Sequence, residues 1–284
     1  MSVRSKLPRP KLPKLINIGL SAGPFLVAEY NLLTGNHLGC EPVEGDVSKK
    51  AQVFVHDQLT KAGVKNAHQI IIKKMYMPVL PKDLTVAHVT GMPNTVHLSC
   101  PLGSTQTDLE LELAKEHPSK LGEFQFILQH EAQHIKNHDF SKFIAALIAI
   151  PCTTHWLARG LRSVNTLYNA KPASFSRNIG AGLAKYALNI QALRTLFLNL
   201  EWRADNGVND DPSVLRGACS FFEHVHNYTE TIATKLAKSL GHEELAPFIY
   251  RMNDPFHPLP YERREAARQR LIKLEEQQEK PTKS

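Results

Sequence analysis

The hydrophobic pattern of the chain changes near residue 105, from short β-branched runs to long helical ones. The runs "QIIIKKMYMPVL", "DLTVAHVTG" and "NTVHLSCPL" are bounded by turn residues, which predicts a small sheet of about three strands. An amphipathic helix, "KKAQVFVHDQLTKA", precedes them and is followed by Gly63. After residue 105, apolar residues recur at helical spacing. We therefore expect an α+β fold that is mainly α-helical, with the sheet before the long helices.

The first 48 residues differ in composition from the rest of the chain. No acidic residue precedes Glu29, and basic residues alternate with prolines up to Lys14. The apolar stretch that follows is interrupted by Asn17, Gly19 and Pro24, which favours an extended segment docking on the core over a targeting signal. No linker-like composition occurs between residues 49 and 270. The sequence thus predicts a basic, proline-rich arm with an apolar segment at 1–48 and a single domain at 49–284.

The net charge of +7 comes in large part from the two ends of the chain. Because no nucleic-acid-binding motif accompanies it, we expect no nucleic-acid partner, while contact with a membrane surface stays open. The four cysteines are far apart and form no Cys-x-x-Cys pair, so neither a disulfide scaffold nor a cysteine zinc site is implied. Localisation is left open between a soluble and a membrane-associated protein.

An uncharged run, "FIAALIAIPCTTHWLA", extends from Phe143 to Ala158. It is short for a membrane span and contains Pro151 and His155, so a buried helix is favoured over a span. The later helical segment "GLAKYALNIQALRTLFLNLEWRADNGV" includes Lys185 and Arg194 in its apolar pattern. It can pack against a core but should not cross a bilayer.

The stretch "FILQHEAQHIKNHDF" carries a His-Glu-x-x-His motif at His130, Glu131 and His134. On a helix, a spacing of four places both imidazoles on one face, where one zinc ion can bind both. Zinc lowers the pKa of a bound water, and a neighbouring carboxylate such as Glu131 accepts the proton when that water attacks a carbonyl. The alternative is a polar helix face rich in histidine, in a chain with 14 histidines.

A catalytic zinc site needs a third protein ligand. His138 lies about 12 Å along a continuous helix from His130 and is rotated by about 80°, so one ion could not bind both. Glu201 and Asp205 in "NLEWRADNG" lie four residues apart, so Glu201 can be the third ligand and Asp205 can accept the outer N–H of a liganding histidine. Two alternatives stay open: Glu201 pairs only with Arg203, or Glu223 is the ligand.

Three motifs together resemble the HtpX-like and CAAX prenyl protease type zinc metallopeptidases. "FILQHEAQHIKNHD" looks like the zinc-binding helix of that family, followed by its aspartate, here Asp139. "EWRAD" matches Glu-x-x-Ala-Asp, which implies that Glu201 is the third ligand. "FHPLPYERREAARQRL" resembles a His-Pro segment followed by an arginine, at His257 and Arg263.

The resemblance implies that His257 donates a hydrogen bond to the developing oxyanion and that Arg263 orders the cleft. It also implies that the segment "NTVHLSCPL" is a sheet edge on which an extended peptide aligns. Many relatives carry transmembrane helices, some of them between the zinc helix and the helix of the third ligand.

The sequence therefore predicts a zincin-like metallopeptidase domain with one zinc ion. Its expected ligands are His130, His134 and Glu201, with Glu131 and His257 catalytic and with Asp205 and Arg263 supporting the ligands. The expected function is a zinc-dependent metalloendopeptidase that hydrolyses peptide bonds of a protein or peptide substrate through a zinc-activated water. Two alternatives are a catalytically inactive zincin-like binding or scaffold protein at a membrane surface, and a basic surface-binding protein with a fortuitous histidine helix.

Overall fold

The computed structural model describes residues 41–42, 49–77, 86–89, 95–101, 118–168, 175–253 and 257–279. Helix is the main secondary structure of these residues, which confirms the mainly α-helical part of the predicted fold class. The predicted arm at 1–48 lies outside the described residues except for Glu41 and Pro42. The single domain at 49–284 stays a prediction.

The described part of the chain contains seven α-helices and two short 3-10 turns. The helices are α1 (Lys49–Lys61), α2 (Pro118–Lys136), α3 (Asp139–Tyr168), α4 (Phe175–Asn206), α5 (Pro212–Ser239), α6 (Ala246–Asn253) and α7 (Pro260–Glu279). The 3-10 turns are Ala67–Gln69 and Glu243–Leu245.

Four short strands pair in the order β1-β2-β4-β3. They are β1 (Glu41–Pro42), β2 (Ile71–Met77), β3 (Val86–Val89) and β4 (Thr95–Pro101). β4 pairs in parallel with β2 and antiparallel with β3. Strand β4 corresponds to "NTVHLSCPL", and the prediction that this segment is a sheet edge is wrong because both of its sides carry backbone partners.

Helix α2 lies in the core between α1 and α5. Its residues Leu128 and Ala132 are fully buried, together with Val55 and Leu59 of α1. On the side facing α5 the two backbones approach so closely that a Cβ on Gly217 would lie 2.0 Å from the carbonyl carbon of Gly122. Glycine is therefore required at this crossing, which fixes α2 against α5.

Two buried glutamines of α2 form hydrogen bonds to neighbouring parts of the chain. Gln133 donates to the carbonyl of Gly207 at 2.7 Å, at the end of α4. Gln129 donates to Gln58 of α1 at 3.1 Å and accepts from the backbone N–H of Asn209 at 3.1 Å. A Cβ on Gly207 would lie 2.6 Å from the Gln133 side chain, which would have to shift to make room for it. These bonds set α2 against the end of α4.

Helix α5 begins at Pro212, with Asp211 as its N-cap. The Asp211 carboxylate accepts hydrogen bonds from the backbone N–H of Ser213 at 2.7 Å and from its hydroxyl at 2.6 Å. These bonds lower the pKa of Asp211 because they favour the ionised carboxylate. Pro212 suits the first helical turn, where its missing N–H would have no partner within the helix.

By their contacts, residues 145–168 and 175–193 form one compact unit, and the other described residues form a second. In the first unit, Thr154 donates to Asn189 at 2.8 Å. The stretch Asp139–Gly160 is long and apolar enough to cross a membrane, and none of its most apolar window is buried. Trp156 is 68% exposed and Ile148 64%. The expected buried helix is therefore wrong.

Candidate metal centre

The motif histidines lie on one face of α2, as a spacing of four requires. Their Nε2 atoms are 3.1 Å apart, and the rings meet edge to face with centroids separated by 4.8 Å. His130 is buried and His134 is half-buried. Each histidine therefore presents one ring nitrogen to a common point at the surface of α2.

Glu201 of α4 completes the group. Its Oε2 lies 3.3 Å from His130 Nε2, and its Oε1 lies 3.3 Å from His134 Nε2. Ligands about 2.0 to 2.1 Å from a tetrahedral zinc ion lie about 3.3 Å from one another. The spacing of these donors therefore fits zinc, and His130, His134 and Glu201 form a buried group that could hold a metal ion.

Each histidine is oriented by an aspartate that bonds to its Nδ1, the ring nitrogen that does not face the common point. His130 Nδ1 lies 2.9 Å from Asp205 Oδ1, and His134 Nδ1 lies 3.0 Å from Asp139 Oδ2. A carboxylate only accepts, so each Nδ1 carries the proton in these bonds. In the neutral ring the lone pair of Nε2 is then directed at the centre, as metal coordination requires.

Asp139 reaches His134 because the chain turns sharply after α2. The helix ends at Lys136, and His138 adopts a left-handed conformation with φ 54°. Because of this left-handed residue, α3 begins at Asp139, close to the last turn of α2. Arg203 of α4 donates to the same carboxylate. Burial alone would raise the pKa of Asp139, but the bonds from His134 and Arg203 lower it.

Arg263 of α7 holds the second aspartate. Its Nε donates to Asp205 Oδ2 and its Nη2 to Asp205 Oδ1, both at 2.7 Å. The guanidinium also stacks on Phe222 at 4.4 Å from the ring centroid and lies 3.4 Å from Glu201. Burial would raise the pKa of Asp205, but the charge of Arg263 lowers it. Asp205 therefore stays ionised behind His130.

The centre is strongly negative around its two imidazoles. Burial would lower the pKa of His134, but hydrogen bonds to Asp139 and Glu201 and the charge of Glu131 raise it to about 10. For Glu201, burial acts to raise the pKa, and the bond and charge of His130 lower it well below its usual range. Such surroundings favour a bound cation at the point where these groups meet.

Glu131 and His257 both face the cavity beside the three donors. Glu131 follows His130 directly on α2, and its charge contributes to the raised pKa of His134. His257, just before α7, is near the surface, and its Nε2 lies 3.6 Å from Glu201 Oε1. The structure thus brings together all seven residues that the sequence singled out for this site.

The alternative ligands lie elsewhere. His138 is exposed in the turn after α2. Glu223 is also exposed and faces Arg264, whose Nη2 lies 3.6 Å away. Arg203 contacts Asp139, so the alternative that it simply neutralises Glu201 is not what the geometry shows.

The supporting roles of two residues, Asp139 and Arg270, were not predicted from the spacing of the sequence. Asp139 was noted only through the resemblance, and its bond to His134 depends on the left-handed His138. Arg270 of α7 donates to the backbone carbonyls of Asp205 and Val208, both at 2.7 Å, and so caps the end of α4. A basic residue seven positions after Arg263, on the same face of α7, is the signal that could have identified it.

The comparisons with protein-family models, with curated proteins and with solved structures return no match to this chain.

Proposed function

We propose that this protein is a zinc metalloendopeptidase of zincin-like, α+β fold that acts on a protein or peptide substrate. The observation that carries the proposal is the convergence of His130, His134 and Glu201 at metal-ligand spacing, beside a carboxylate that is outside that group, Glu131. Structural zinc sites use four protein ligands, whereas catalytic ones use three and keep a position for water or substrate. In the described residues the group has three members and borders a cavity.

His130, His134 and Glu201 would hold the ion. Zinc, when bound, lowers the pKa of a water ligand and polarises a carbonyl group. Asp139 and Asp205 keep the protons of both histidines on Nδ1, so that Nε2 is free to coordinate.

Glu131 would act as the general base and then as the general acid. Its carboxylate accepts a proton from water as the water oxygen bonds to the substrate carbonyl carbon. When the carbon–nitrogen bond breaks, the same proton passes from Glu131 to the leaving amine. The ring N–H of His257 would donate to the carbonyl oxygen as negative charge develops there. Both side chains line the cavity together with His130 and Glu201.

The test combines zinc content with cleavage of casein and of quenched fluorescent peptides. We expect one zinc per chain in the wild type and in Glu131→Gln, with kcat lowered about 10²- to 10⁴-fold in this variant. We expect Glu201→Ala to lose zinc. The matched controls are Glu223→Gln and Glu223→Ala, because this glutamate is exposed and outside the site. Absence of stoichiometric zinc from the wild type would overturn the proposal.

The same experiment separates the enzyme from an inactive scaffold. A binding module of this fold would retain zinc in the wild type and cleave neither casein nor any peptide of a diverse library. An active enzyme loses cleavage in Glu131→Gln while it retains zinc, and this pair of results identifies Glu131 as a chemical participant.

A second proposal concerns residues 145–193, which we expect to associate peripherally with an anionic membrane surface. No acidic residue occurs between Asp139 and Glu201, whereas this interval contains seven lysines and arginines. Exposed apolar side chains lie in the same unit; they include Ile148, Trp156, Leu157, Leu183 and Leu188. Cations attract anionic headgroups, and exposed aromatic and aliphatic side chains enter the interface, so a membrane fits this combination better than a nucleic acid does.

A further inference from the structure

The cavity beside the metal centre has a volume of about 370 Å³, which is in the range of ligand-binding pockets. One side is the catalytic group on α2 and α4, and the other is a stripe of α5. This stripe consists of residues at the spacing that places them on one face of a helix: Phe221, Phe222, Val225, Tyr228 and Thr229. The cavity thus continues directly from the point where a substrate carbonyl would bind.

The α5 side of the cavity is apolar and aromatic. Phe222 is almost fully buried and packs edge to face against Phe126 of α2, with ring centroids 5.2 Å apart. Phe221 contacts the same ring at 6.2 Å. These contacts give the cavity a closely packed aromatic floor. A floor of this kind favours burial of an apolar group.

Tyr250 of α6 forms a further wall and is held in place by α5. Its hydroxyl lies 2.8 Å from His226 Nδ1, and the two rings meet edge to face at 5.4 Å. Tyr261 of α7 packs against the same histidine at 6.3 Å. His226 is thus a positioning residue for the wall, and the pocket has a defined shape.

Charged groups on the cavity surface are confined to the catalytic side. Among the described lining residues they are Glu131, His257, Glu201, His130 and Arg263. Arg263 already binds Asp205 through two nitrogen atoms. A charged substrate side chain against α5 would therefore lose its hydration without gaining a counter-ion, which is costly.

We propose that this pocket binds a large uncharged side chain of the substrate, aromatic or aliphatic, adjacent to the scissile peptide bond. The inference deepens the proposed peptidase function and depends on it. Val225, Tyr250 and Phe222 determine the preference, since they form the walls and the floor. Small side chains leave the pocket unfilled, and charged ones are rejected.

The test uses amino-acid hydroxamates, whose hydroxamate group chelates zinc, with phenylalanine, leucine, alanine, aspartate or lysine side chains. Two sets place the side chain on either side of the chelating group. Dissociation constants are measured on zinc-loaded Glu131→Gln protein. We expect the phenylalanine and leucine probes of one set to bind about 10- to 100-fold more tightly than the alanine probe, and the charged probes to bind most weakly.

Two variants in the same background locate the preference. Val225→Trp fills the pocket and should remove the advantage of the phenylalanine and leucine probes while leaving the alanine probe unchanged. Tyr250→Ala, which removes a wall, should weaken the phenylalanine probe, and it serves if Val225→Trp does not fold. The matched control is Val53→Trp, because Val53 is exposed on α1.

The outcomes distinguish failure of the peptidase proposal from failure of the pocket assignment. If the protein holds no zinc and binds no hydroxamate, the peptidase proposal fails. If zinc is bound and all side chains bind equally, or if neither pocket variant changes the preference, the pocket assignment fails and the peptidase proposal stands.

Discussion

The carboxylate of Asp139 lies 3.0 Å from the Nδ1 of His134, across the turn that joins α2 to α3. This bond orients one of the two imidazoles that could bind a metal ion, and Arg203 and Lys142 also contact the carboxylate. Asp205 does the same for His130 from α4. The two histidines, although neighbours on one helix, therefore depend on different parts of the chain for their orientation.

Replacement of Asp139 by alanine should weaken zinc binding about 10- to 100-fold, because outer hydrogen-bond partners orient the ligand and raise its basicity. Competition with a fluorescent chelator measures this affinity. Asp57→Ala is the control, since Asp57 is an exposed residue of α1 that pairs with Lys61. Equal affinities in the two variants would show that the bond from Asp139 is not needed.

His257→Ala should lower kcat about 10²-fold and leave zinc content and KM nearly unchanged, since an oxyanion donor acts mainly in the transition state. Steady-state kinetics on a quenched peptide give both constants. His242→Ala is a suitable control because the His242 side chain is exposed and pairs with the nearby Glu244, outside the site. A change in KM alone would assign His257 to substrate binding.

Gly217→Ala should destabilise the protein by about 3 kcal/mol or more, because the added Cβ meets backbone that cannot move aside. We expect a clear fall in Tm by differential scanning calorimetry. Gly182→Ala provides the contrast: this glycine is inside α4 and an added Cβ contacts nothing within 4 Å, so stability should stay the same or rise.

Asp211→Ala should cost about 1 kcal/mol at neutral pH through loss of the α5 N-cap, whereas Asp211→Asn should retain most of it. The pKa of Asp211 is lowered in the folded state. Its contribution is therefore full above the unfolded pKa of about 3.9 and is lost as pH falls through the folded pKa. Urea unfolding at several pH values should show the wild type and Asp211→Ala converging in acid.

Anionic vesicles should shift the fluorescence emission of Trp156 to shorter wavelength, as expected when an exposed indole enters a lipid interface. The measurement uses a Trp202→Phe background, which leaves one tryptophan. Leu157→Asp should reduce co-sedimentation with vesicles, and Leu240→Asp, also an exposed leucine but in the other unit, should not. Binding to RNA or DNA in place of vesicles would contradict the membrane proposal.

The sequence predicted the local parts of the site better than the parts that depend on distant contacts. Helical periodicity places His130, Glu131 and His134 together, because it involves a single element. The approach of Glu201 depends on how α4 packs, which spacing alone leaves open. The role of Asp139 depends on a left-handed residue, His138, and histidine is only weakly associated with that conformation.

Two expectations were wrong because each depends on which elements lie next to the segment. The run from Phe143 to Ala158 is apolar, and apolarity predicted burial, but burial also needs a partner surface, which no periodicity reveals. The resemblance implied that the segment of β4 is a sheet edge, but its position inside the sheet is set by pairing with β2 and β3. In both cases the neighbouring elements determine whether the segment is buried or paired, and the sequence of the segment does not specify those neighbours.

The contact of Arg263 with Asp205 has a consequence for the order of synthesis. During translation the histidines of α2 emerge first, Glu201 follows on α4, and the guanidinium that secures Asp205 arrives only with α7. A growing chain that ends before α7 therefore contains the three candidate metal ligands but lacks the arginine that binds Asp205. The proposed centre is therefore complete only after α7 has folded onto the end of α4.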